Sequence, residues 1–220
     1  MMRTRVKICC MASVAELRMA VAHGADCVGL VGDMPSGLGV IADPLARDIA
    51  RAVPPGVSPV LLTSRTGAGD IADHVAFCGV NTVQIVNQID PAAHERLEES
   101  IPAVRRLQVI HVESDEALRL IPFYEAHVHG FLLDSGRPKA TIPELGGTGR
   151  THDWAVSAEF VRRSALPVFL AGGLNLANVA EAIRQVRPYG VDLCSGLRSP
   201  LLLDETKLRA FMLAVKSVGS

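Results

Sequence analysis

A single (β/α)8 barrel of the TIM type, one domain over residues 1–220, is the fold class that this sequence predicts. Three observations predict it: the length, eight short apolar runs at regular intervals, and helix-start signals between them. With 220 residues and 23.4 kDa, the chain has the size of one α/β barrel, about 200 to 250 residues. Apolar residues make up 49% and charged residues 20%, enough to fill a sizeable core and unlike a disordered chain.

The apolar runs lie at residues 5–9, 26–31, 58–62, 82–86, 107–112, 129–134, 166–171 and 190–195. They are nearly continuous where a half-exposed strand would alternate, which is how strands covered on both faces of a parallel sheet read. Helix starts follow them. Ser13 with Glu16 three residues on is a capping-box pattern, and Asp43-Pro44 and Asp90-Pro91 pair an N-cap with an N1 proline. Ser114, Asn175 and Asp204 are further candidate caps, and the spacing of Leu176, Val179, Ala180, Ile183 and Val186 predicts the apolar stripe of a helix starting from Asn175. Eight right-handed βαβ crossovers close into a barrel, whereas an open doubly wound sheet uses five or six strands. Pro54-Pro55-Gly56 and residues 136–149 read as loops.

Charge and composition exclude several classes. Lys and Arg number 22 against 23 Asp and Glu, so there is no broad basic field for nucleic acid or anionic lipid. No apolar window reaches the roughly 20 residues of a membrane helix, and the first residues lack a signal-peptide core, so a cytoplasmic location is expected. Cys9 and Cys10 are adjacent while Cys27, Cys78 and Cys194 stand alone, without a C-x-x-C pair; reduced thiols are expected. Strand alternation lets at most one of Cys9 and Cys10 face inward.

In this fold the chemistry lies at the C-terminal strand ends. Gly172-Gly173 after the seventh strand and Ser195-Gly196 after the eighth form a candidate phosphate clamp, with a short extra helix over residues 195–198. The bland alternative is a tight strand-to-helix turn. Asp134, ending an apolar run, suits a general acid or base, or else caps a loop or pairs with Arg137. Cys9 ends the first strand with Lys7 on the same strand face, a cation that favours a thiolate; the bland alternative is a small buried hydrophobe. His111 lines the pocket or sits satisfied in the core. His127 and His129 share a face of the sixth strand, but no third ligand follows at metal spacing, and no metal or cofactor is expected.

Taken together, Lys7-Ile8-Cys9, residues 132–135, Gly146-Gly147-Thr148-Gly149, Asp153-Trp154, residues 171–175, Asn178-Val179, and Val191-Asp192 through Ser195-Gly196 resemble the phosphoribosylanthranilate isomerases of tryptophan biosynthesis. The resemblance runs in order from residue 7 to about 197. It implies a cofactor-free Amadori rearrangement of a phosphorylated aminoaldose to an aminoketose. Asp134 would protonate the ribose ring oxygen and Cys9 would remove the C2 proton. Gly172, Gly173, Ser195 and Gly196 would hold the phosphate, Gly147 would belong to a mobile loop, and Lys7, Gln84 and His111 would complete the substrate site.

The chain departs from the family pattern in several places. Cys10-Met11-Ala12-Ser13 stands where Cys-Gly with a nearby Thr-Arg is usual. Residues 34–39 lack the usual arginine after the second strand, Val86-Asn87 replaces His-Gly, His111 replaces a common arginine, and Arg198 replaces an acid. The aromatic carboxylate end is thus rebuilt. Competing readings are an isomerase, epimerase or aldolase acting on another sugar phosphate, and a non-catalytic sensor of phosphorylated ligands. The partner is a small phosphorylated sugar, and the chain is expected as a monomer or homodimer.

Overall fold

The computed structural model describes residues 3–35, 37–136 and 151–218. Strands and helices alternate: β1 (Arg5–Ile8), α1 (Val14–Ala22), β2 (Cys27–Val31), α2 (Asp43–Ala52), β3 (Ser58–Thr63), α3 (Ala68–Cys78), β4 (Thr82–Ile85) and α4 (Pro91–Ser100). They continue as β5 (Arg105–His111), α5 (Leu120–Tyr124), β6 (Gly130–Asp134), α6 (Trp154–Arg163), β7 (Val168–Leu170), α7 (Val179–Val186), β8 (Gly190–Leu193) and α8 (Glu205–Val218). The strands are parallel, and the barrel closes where β1 pairs with β8, Lys7 opposite Asp192. Every apolar run read from the sequence is a strand, with ends displaced by at most two residues.

The continuous apolar runs are explained by two apolar layers. Ile8, Val83, Ile85, Leu133 and Val191 face outward and pack against helix residues such as Ile71 and Phe160. Val60, Leu62 and Leu107, and with them Val109, Leu132 and Phe169, form two smaller clusters on the opposite strand face, inside the barrel. A cavity of about 500 Å³ opens among Arg5, Ser58, Thr82, Arg105 and Tyr189, at the N-terminal ends of the strands and away from the chemistry-bearing ends. Among the described residues no helix is long and apolar enough to cross a membrane.

Most helix starts are built as the residue types dictate. Ser13 accepts from the Glu16 N–H at 3.2 Å and Asp90 from the Ala92 N–H at 2.8 Å. Asp43 differs. Ala42 occupies the N-cap, and the Asp43 carboxylate instead meets the His74 imidazole at 3.0 Å and the Arg65 guanidinium at 3.4 Å. Asn175 is also displaced from its expected role, because the helix begins at Val179 with Asn178 as its cap. Asn175 caps only the preceding turn, accepting from the Ala177 N–H, and this leaves Leu176 51% exposed; the buried stripe is Val179, Ala182, Ile183 and Val186. His127 and His129 precede β6 and lie at the N-terminal end of the barrel. His129 Nδ1 accepts from the Arg106 N–H, so the two do not form a strand-face pair.

Candidate active site

The first wall of the site is β1. Pleating sends Lys7 and Cys9 to the barrel interior, where both are buried. The space they need comes from Gly29 on β2: a Cβ there would lie 2.6 Å from Cys9 Sγ and 3.2 Å from Lys7 Nζ. Lys7 Nζ is 2.9 Å from Asp192 Oδ1 on β8. Burial is the largest single influence and works against the Lys7 charge, but the neighbouring Asp192 carboxylate and the sulfurs of Cys9 and Cys27 together outweigh it and hold the ammonium above its ordinary range. For Cys9, burial is again the largest influence and pushes the thiol up to about 11, with Lys7 pulling it down and Asp192 raising it. Burial thus outweighs the pull of Lys7 toward the Cys9 thiolate, and the Asp192 carboxylate adds to it.

The second wall is the β6 end. Asp134 is buried, and burial raises its carboxyl pKa, while the Ser135 N–H, 2.7 Å from Oδ1, and then His111 pull it back. His111 is adjacent to Asp134 in the strand register; its Nε2 lies 3.0 Å from the Val86 carbonyl, and its buried Nδ1 has no hydrogen-bond partner among the described residues. Gln84 is buried on β4 with its carboxamide oxygen equally unpartnered among the described residues. A buried polar atom without a partner costs about 1 to 3 kcal/mol, so these are features that a bound polar molecule would relieve.

The third part is the pair of loops after β7 and β8. Gly172 and Gly173 have φ of 78° and 64°, which side chains with a Cβ rarely adopt. A Cβ on Gly172 would lie 3.0 Å from the Ser135 backbone nitrogen, so this loop abuts the acid-bearing end of β6. A Cβ on Gly196 would lie 2.7 Å from the Leu174 carbonyl oxygen, so the loops after β7 and β8 touch each other. Ser195–Leu197 forms a 3-10 turn, the short extra helix expected there. Gly147, its flanking glycines and Arg137 lie outside the described residues.

Three features were not foreseen. Cys10 and Cys194 form a disulfide across the β1–β8 seam, with Cα atoms 5.9 Å apart, correcting the expectation of reduced thiols. The partners are 184 residues apart in sequence, and only barrel closure makes them neighbours. Both Cys9 and Cys10 are buried, since Cys10 turns to φ 66° and escapes the strand alternation that would send it outward. His152 also reaches the site, its Nδ1 2.9 Å from the position of a Cβ on Gly172, and burial drives its pKa down to about 4, so it is neutral. The His-Asp-Trp run at 152–154 was its only sequence signal. Away from the mouth, Asp43, His74 and Cys78 come within 4.8 Å of one another, but the carboxylate already serves His74 and Arg65.

An acid with raised pKa, a buried thiol beside an ion pair and adjoining glycine loops at one barrel mouth can be compared with known proteins. The family model for N-(5'-phosphoribosyl)anthranilate isomerase matches residues 6–214. The chain belongs to this family. It is 36% identical over 215 residues to N-(5'-phosphoribosyl)anthranilate isomerase 2 of Methanosarcina mazei, covering 97% of this chain and 94% of that protein. The solved phosphoribosyl anthranilate isomerase of Thermococcus kodakaraensis superposes with a TM-score of 0.80 at 31% identity, covering 97% of this chain and 99% of that one. A further solved isomerase, in complex with reduced 1-(o-carboxyphenylamino)-1-deoxyribulose 5-phosphate, has a TM-score of 0.80 at 26% identity, with the same coverage of 97% and 99%.

Proposed function

We propose that this member of the phosphoribosylanthranilate isomerase family catalyses the Amadori rearrangement of N-(5'-phosphoribosyl)anthranilate, with Asp134 as general acid and Cys9 as general base. The observation that carries the assignment is the position of Asp134. It is a buried carboxyl with a raised pKa, one residue from Ser135, against which the loop of Gly172 packs. Ring opening requires a proton on the ribose ring oxygen, and an acid protonated nearer neutral pH than an ordinary carboxyl can supply it. The phosphate sits at Gly172, Gly173, Ser195 and Gly196, whose backbone N–H groups need no charged side chain to bind an anion.

Opening the ring leaves an iminium cation next to C2. That positive charge and the Lys7 ammonium both favour the Cys9 thiolate, so the base is activated when the intermediate forms. Cys9 then removes the C2 proton, and the resulting enolamine tautomerises to the ketone. Gln84 and His111 supply the polar groups that orient the sugar, and Gly147 belongs to the loop that covers it. The enzyme acts in the cytoplasm, as a monomer or homodimer.

A second reading is favoured by one observation. The described part of the segment between β2 and α2 contains no basic side chain, and His111 occupies the β5 end. A carboxylate deprived of a charge-assisted bond loses about 1.5 to 3 kcal/mol, which favours a phosphorylated aminoaldose lacking the anthranilate acid group. Purified chain offered N-(5'-phosphoribosyl)anthranilate should turn it over, and the chain should restore growth to a tryptophan auxotroph lacking this isomerase. A phosphorylated aminoaldose without the carboxylate reacting with at least tenfold higher kcat/KM would select the second reading instead.

A further inference from the structure

We propose that Cys10 and Cys194 form a thiol–disulfide modification site through which low-molecular-weight disulfides and thiols set the activity of the mouth. The proposal rests on the placement of the isomerase site given above. The crosslink joins the residue after the proposed base, Cys9, to the residue before the phosphate turn, Ser195-Gly196. It therefore fixes the base and the anion anchor relative to each other across the barrel seam.

Two further observations set Cys10 apart from an inert core cysteine. Its φ of 66° lies in the left-handed region, where a Cβ costs conformational energy that the covalent bond to Cys194 can offset. It also presses on the loop after β2: a Cβ on Gly39 would lie 2.3 Å from Cys10 Cβ, and Cys10 Sγ is 3.5 Å from the Leu38 carbonyl. Reduced, the Cys10 thiol has that carbonyl as a ready acceptor. Its backbone is no longer held at the unfavourable φ by the crosslink, and Cys9 moves with it. Three loops at the mouth thus respond to one bond.

The chemistry balances with a small disulfide as oxidant. Cys194 is the half-buried partner and Cys10 the buried one, so the Cys194 thiolate attacks the oxidant and releases one small thiol. The Cys10 thiolate then attacks the mixed disulfide at Cys194 and releases the second. Two protein thiols lose two electrons and two protons, and one small disulfide becomes two thiols. Reduction by a dithiol reverses both steps, entering at Cys194.

The test uses the full chain after oxidised glutathione and after dithiothreitol. Thiol titration in denaturant should find three free thiols after oxidation, those of Cys9, Cys27 and Cys78, and all five after reduction. Reduction should lower kcat/KM for N-(5'-phosphoribosyl)anthranilate by roughly tenfold, since small displacements of reacting groups cost that much or more. It should also weaken ribose 5-phosphate binding several-fold. Cys194→Ser should stay at the reduced level under both conditions. Cys10→Gly, whose glycine accepts φ 66° without a crosslink, should give one kcat/KM under both. Five thiols after oxidation, a mapped bond between other cysteines, or equal wild-type activity in both states would overturn the proposal. Absence of turnover in either state would instead remove the isomerase reading, and ribose 5-phosphate affinity would still show whether the bond controls the clamp.

Discussion

Asp134, the proposed general acid, illustrates how a residue placed for chemistry works against stability. Its carboxyl has a raised pKa in the folded chain, above its ordinary value of 3.8, so between those two values the native state holds a proton that the unfolded state has lost. The native state therefore loses stability as pH rises through that window and does not regain it at neutral pH. Asp134→Asn removes the titration. The variant should melt higher than wild type at neutral pH, and this advantage should vanish as pH falls below about 4. Its turnover should drop roughly 10²- to 10⁴-fold, the usual worth of a general acid. Paired thermal melts and rate assays across pH check both halves. Gly29 makes a companion case: Gly29→Ala places a Cβ 2.6 Å from Cys9 Sγ and should cut turnover on the order of 100-fold through displacement of the proposed base. Ribose 5-phosphate binding should stay within a few-fold of wild type.

At the scale of elements, the loop after β7 depends on backbone conformation more than on any side chain. Gly173 has φ 64°, so Gly173→Val strains the backbone at the proposed anion site. Its affinity for ribose 5-phosphate, measured by calorimetry, should fall by at least about tenfold, whereas loss of a surface lysine should change it little. The glycine pair was legible in the sequence because a φ in this range leaves few other residue types. Strands were legible for a similar reason: two-sided burial writes itself as an unbroken apolar run. The start of α7 was not, since Asn175 and Asn178 are both good caps and only the folded turn shows that Asn178 borders the helix. The Asp43-Pro44 signal was equally ambiguous, and a neighbouring helix decided it, with His74 drawing the carboxylate away from a capping role. The His-Asp-Trp run gave no sign that His152 reaches the site, because its place beside Gly172 comes from folding between α6 and the β7 loop.

For the whole molecule, closure of the barrel is the event that the sequence specifies only indirectly. Eight runs and their spacing predict it, but the contacts it creates lie between residues nearly 190 positions apart. Lys7 meets Asp192 and Cys10 meets Cys194 across the same seam, and the disulfide corrects the expectation of reduced thiols at Cys10 and Cys194. The same closure brings the β6 acid, the β1 thiol and the two glycine loops to one end, which turns a resemblance in scattered motifs into a site with a mechanism. The most direct test is to compare turnover of N-(5'-phosphoribosyl)anthranilate by wild type, Cys9→Ser and Asp134→Asn, all oxidised and all confirmed folded by circular dichroism. The account predicts measurable turnover by wild type and a loss of roughly 10²-fold or more in each variant. Wild-type turnover that persists unchanged in either variant, or a folded wild type that binds ribose 5-phosphate but never converts the substrate, would contradict it.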